Sequence, residues 1–95
     1  MVKAVWNNQI LAESRKTKNL EGDIYFPPES LKKKFFKKSY THYVCPWKGT
    51  ANYYNIDVEG NVYWNAAWYF PNPSKDASTI KNYIAFSKNV EVIKE

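Results

Sequence analysis

Hydrophobic and polar positions alternate with a period of two along much of this chain. The clearest run is central: Tyr54, Ile56 and Val58 alternate with Asn55, Asp57 and Glu59, and the Gly60-Asn61 pair follows. Beyond it, Val62, Trp64, Ala66 and Trp68 alternate with Tyr63, Asn65, Ala67 and Tyr69. A period of two sends successive side chains to opposite faces, so the pattern predicts a β-hairpin reversing at Gly60-Asn61. Pro71 and Pro73 stop its return strand.

The same reading extends outward. Val2–Trp6 and Ile10–Glu13 predict an N-terminal hairpin around Asn7-Asn8, since Asn tolerates the positive φ of tight turns. Lys18–Leu20 and Ile24–Phe26 predict a second hairpin through Glu21-Gly22-Asp23, ended by Pro27-Pro28. Pro28–Leu31 can open a short helical turn, because Pro is favoured at its first position. Residues 41–45 read as a strand entering the Gly49 turn. Ser74 or Asp76 is placed to cap a short helix through about Asn82, with Ala77 and Ile80 on one face. Tyr83–Phe86 and Val90–Ile93 read as closing strands around Lys88-Asn89. There is no internal repeat and no low-complexity linker. The expectation is a mostly β, antiparallel domain with one or two short helices.

Composition narrows this picture. Ninety-five residues make one domain, residues 1–95. A core this small needs large side chains, and 18% of the chain is aromatic. No apolar run approaches the ~20 residues of a membrane-spanning helix, and Met1–Trp6 lacks a signal-peptide pattern. The single Cys45 cannot form an internal disulfide, which fits a reducing, cytoplasmic setting. The net charge is +5, and residues 32–38 hold five lysines and no carboxylate. The other basic and acidic residues cancel, so the excess charge resides in that heptapeptide.

Few residues offer chemistry. His42 and Cys45 invite a nucleophile reading, but three positions apart on a strand they point to opposite faces. One His and one Cys do not make a zinc site, and no metal or cofactor is expected. Lys48-Gly49-Thr50 lacks the Gly-rich turn of a phosphate loop, although Gly49 would let an anion approach the backbone beside Lys48. Asp57 and Glu59 share a strand face but sit at a hairpin tip. The basic patch of Lys33, Lys34, Lys37 and Lys38, with Phe35 and Phe36, matches nucleic-acid surfaces in which lysines neutralise phosphates and rings stack on bases.

The blocks Cys45-Pro46-Trp47-Lys48-Gly49-Thr50-Ala51, Tyr53-Tyr54, Ala66-Ala67-Trp68-Tyr69-Phe70-Pro71 and Ile84-Ala85-Phe86 resemble one family. Val5-Trp6-Asn7, Leu11-Ala12-Glu13-Ser14 and Tyr25-Phe26-Pro27-Pro28-Glu29 fit the same pattern. The family is the small bacterial and fungal one called domain of unknown function 427, and the likeness covers nearly the whole chain. It implies a compact, mostly antiparallel β fold of the barrel or tent-like kind, and no established activity. The family sometimes carries a nucleotidyltransferase label, yet this chain has no Gly-Ser turn followed by a paired-Asp metal site. The lysines of 32–38 depart from the family, which is usually more acidic there.

The shared blocks suggest a cleft walled by Trp47, Trp68, Tyr69 and Tyr25, with Gly49 at its edge. Lys48, His42 and Glu13 would supply its polar groups. The expected function is binding of a small anionic ligand between Cys45–Gly49 and Ala66–Phe70. The alternatives are an enzyme using Cys45 or His42 in that cleft, and nucleic-acid binding through the lysine patch. No membrane partner is expected.

Overall fold

A computed structural model describes residues 1–95. The strands are β1 (Val2–Trp6), β2 (Gln9–Ser14), β3 (Lys18–Leu20), β4 (Asp23–Tyr25), β5 (Phe36–Cys45), β6 (Gly49–Val58), β7 (Asn61–Tyr69), β8 (Ile84–Phe86) and β9 (Glu91–Lys94). They form three antiparallel sheets, ordered β2-β1-β9, β3-β4 and β5-β6-β7-β8. None of the sheets closes into a barrel. Short 3-10 turns occupy Pro28–Ser30, Lys33–Phe35 and Lys75–Ile80. No helix is long and apolar enough to cross a membrane.

The hairpin expectations hold, with shifts at their ends. Asn7 and Asn8 take φ of 50° and 64° in the first turn. In the second, Glu21 and Gly22 turn the chain and Asp23 already belongs to β4. The central reversal uses Glu59 and Gly60, and Asn61 opens β7. The Asp57 side chain accepts the Gly60 N–H at 3.0 Å, which fastens this tip. The expected helix after Ser74 is a 3-10 turn, and Ser74 makes no side-chain cap. The two closing strands do not pair with each other: β8 joins β7, while β9 returns to β1.

The four-stranded sheet is covered on both faces. On one face Ile56, Val58, Ala67, Ile84 and Phe86 meet Ala4, Leu11 and Ala12 of the β2-β1-β9 sheet, with Phe26, Phe35 and Val90 between. On the other, Ala51, Phe70 and Ala85 pack with Tyr25, Ala77 and Ile80. Phe26 and Phe70 are almost wholly buried, and burial of such a ring contributes about 2–3 kcal/mol.

Two bulges bend this sheet at one level. Ser39–Thr41 stand against Tyr53 alone, and Trp64–Ala66 against Asn55 alone. Asn65 anchors the bend at φ 55°. Its N–H donates to Asn55 Oδ1 at 2.7 Å, and its side chain bonds Ser39 and Thr41. Extra residues in a strand raise its twist and re-aim side chains, and here they leave Trp64 and Tyr40 in solvent.

Candidate functional site

Strand alternation splits the expected cleft between two faces. Tyr53 pairs with Trp68 and Tyr54 with Ala67, so Trp68 and its neighbour Tyr69 face opposite ways. Lys48, Trp68 and Tyr25 come together on the face that carries Ala51 and Phe70. The Trp68 indole N–H donates to the Tyr25 hydroxyl at 3.4 Å, and a small pocket of about 160 Å³ lies between Tyr43, Lys48, Ala51, Tyr53, Trp68 and Phe70. Tyr69 and His42 lie on the other face. His42 Nδ1 meets Asn52 Oδ1 at 2.7 Å, a cross-strand pair exposed to solvent. Glu13 stands opposite Lys3 in the first sheet, remote from Lys48 in the topology.

Lys48 is 8% exposed and already has a partner. Its ammonium is 2.7 Å from Glu21 Oε1, and the Trp47 indole donates to the other oxygen of the same carboxylate at 3.1 Å. Burial works against the charge on Lys48, but the Glu21 hydrogen bond, with the charges of Tyr25, Glu21 and Cys45, raises its pKa above the ordinary value. The hydrogen bond from Lys48 holds the Glu21 carboxyl below its ordinary value against a desolvation cost. The chain is thus latched from the β5–β6 turn to the β3–β4 turn. Gly49 serves the same junction. At φ 111° a Cβ there would sit 3.1 Å from the Asn72 carbonyl oxygen, and Ser74 N–H donates to the Lys48 carbonyl at 2.9 Å. The close approach that glycine permits is filled by the chain's own backbone. Cys45 is half-buried against the second core cluster.

The largest cavity, about 460 Å³, lies on the opposite face. Phe36 of β5, Tyr54 of β6, Tyr69 of β7 and Ile84 of β8 form its floor, one residue from each strand of the sheet. Tyr54 and Tyr69 stack at 5.0 Å between centroids, and Phe36 meets Tyr54 edge-on at 5.6 Å. Burial and the adjacent Tyr69 push the Tyr54 phenol up, so it stays a protonated donor at neutral pH. Pro28 and Leu31 make a wall, and Asn82 adds an amide. Two lysines complete the rim. Lys38 pairs in register with Tyr54 and so shares its face, and Lys33 arrives from the 3-10 turn before β5. Both are exposed, and neither is ion-paired: the salt bridges join Lys3 to Glu95 and Lys48 to Glu21.

Two groups that the sequence suggested separately, the lysine patch and the aromatic blocks, therefore meet in one cavity. Sequence reasoning missed Tyr54 as a site residue and named Phe36 only with the lysine patch, not with the aromatic cleft. The signal available was the register of β5 on β6, which needs the Ser39–Thr41 bulge to be foreseen. No cluster of His, Cys, Asp and Glu is arranged to hold a metal ion. No curated protein matches this chain in sequence. One family model matches residues 1–95, the whole chain, and its description is Domain of unknown function (DUF427). The chain belongs to that family.

Proposed function

We propose that this protein binds a small anionic ligand with a flat apolar body, seated in the cavity between β5–β8 and the Pro28–Lys33 segment. One observation carries the reading: two unpaired lysines, Lys33 and Lys38, rim an aromatic floor of Phe36, Tyr54 and Tyr69. Apolar walls with a few polar points describe a ligand site, and the volume lies within the range of about 300–1,000 Å³ for such sites. A ring stacked on the Tyr54–Tyr69 pair gains dispersion and area burial. An ammonium at the rim gains a charge-assisted hydrogen bond to phosphate or carboxylate.

The test is a residue-resolved NMR titration with phenyl phosphate, using phenol and inorganic phosphate as half-ligands. Saturable shifts at Phe36, Lys38, Tyr54 and Tyr69, tighter for phenyl phosphate than for either half, are the expected result. Silence with all three would sink the reading. Shifts confined to Ala51, Tyr53 and Trp68 would move the site to the smaller pocket beside Lys48.

A further inference from the structure

The five lysines of residues 32–38 do not share one side of the chain. Lys33 and Lys38 line the aromatic cavity, whereas Lys32 and Lys34 line a second open groove of about 400 Å³ with Asn8, Gln9, Ile10 and Phe35. The segment from Lys32 to Phe36 is thus a ridge with a basic groove on each side. Phe35, 8% exposed, roots the ridge in the core. All five lysines are exposed and none has a carboxylate partner, so the positive field of the ridge is not neutralised internally. Two residues beyond Lys38 on the same strand, Tyr40 is 98% exposed. Its ring contributes no burial to the fold.

We propose that this ridge binds single-stranded nucleic acid. One base occupies the aromatic cavity, and the phosphates run over Lys33 and Lys38 and across to Lys32 and Lys34. The proposal rests on the reading of the cavity, since the base takes the place of the flat body there. Charge complementarity selects a polyanion. The recessed aromatic floor selects one whose rings can leave their stack, which a single strand does and a duplex does not. With no arginine in the ridge there is little scope for bidentate base readout, so binding tolerates many sequences.

Fluorescence anisotropy with a labelled uridine dodecamer tests this, alongside uridine monophosphate, a heparin fragment and phosphatidylserine vesicles. The dodecamer should bind more tightly than the monophosphate, with log K falling linearly against log salt. Lys32→Gln with Lys34→Gln should reduce the salt slope by about 1.4, at roughly 0.7 per lost phosphate contact, and leave phenyl phosphate binding unchanged. Tyr40→Ala should weaken the dodecamer about fivefold or more, because its free ring gives a second base a stacking surface. These substitutions are at exposed positions, so folding is not at stake.

A dodecamer no tighter than the monophosphate would overturn the proposal. So would a heparin fragment binding equally well with Tyr40→Ala silent, which would mean charge alone, or capture by vesicles without capture of the dodecamer. If phenyl phosphate still shifts Tyr54 and Tyr69 in any of those cases, the cavity reading survives and only the extended partner falls.

Discussion

Lys48 and Lys38 lie on opposite faces of one sheet, and the fold treats them in opposite ways. Lys48 is buried, held at 2.7 Å by Glu21, with its ammonium facing the rings of Trp47 and Phe70. Its charge is answered inside the molecule, so it closes a junction and has little left to offer a ligand. Lys38 stands at a cavity rim with no counter-charge, beside the half-buried aromatic pair Tyr54 and Tyr69. The difference lies in what surrounds each ammonium: a satisfied buried pair is structure, and an unsatisfied exposed one beside apolar walls is capacity for binding.

The junction around Lys48 is the region most sensitive to substitution. Gly49→Ala forces a Cβ into the left-handed region against the Asn72 carbonyl at 3.1 Å. The expected loss is about 2–3 kcal/mol in denaturant unfolding, from strain at one position. Lys48→Ala should follow at about 2 kcal/mol, through lost packing of the stem and a carboxylate left without its partner. Lys33→Gln with Lys38→Gln should stay within about 0.5 kcal/mol of the parent, as exposed positions do. Equal losses at Lys48 and at the rim lysines would erase the distinction between the two regions.

Much of the fold was legible in the sequence, because a period of two, Asn-Asn and Gly turns and Pro stops act locally. The site was less legible, and the reason is geometric. Grouping Trp68 with Tyr69 in one cleft conflicts with the alternation that identified their strand, and the structure separates them accordingly. Lys48-Gly49 stood out as a polar group beside a turn. What approaches it, the Asn72–Pro73 backbone and the Glu21 carboxylate, comes from segments distant in sequence. The meeting of Lys38 with Tyr54 depends on register past a bulge, and a bulge has no reliable local signal. Asn65, which anchors the bend at positive φ, could have been singled out as an Asn interrupting a strand of apolar residues.

A further expected effect concerns pH and separates the two carboxylates beside Lys48. Glu21 has its pKa lowered in the folded protein from an ordinary value of 4.5. Its stabilising contribution is therefore complete above that value and is lost as pH falls through the lower folded pKa. Asp23 is shifted the other way from 3.8, chiefly by burial, with Lys48 opposing and Glu21 reinforcing the rise. Its contribution is present below 3.8 and is lost as pH rises through the folded value. The two trends oppose each other in the parent protein and mask one another in its acid unfolding. Glu21→Gln removes the first. Its Tm should fall below the parent's at pH 7, by less than Lys48→Ala causes, and the gap should close as the medium is acidified below the Glu21 transition. A gap that persists unchanged at low pH would mean that the Glu21 side chain stabilises the junction by shape and hydrogen bonding alone. Lys48 would then be a buried cation that the fold carries without drawing stability from its charge.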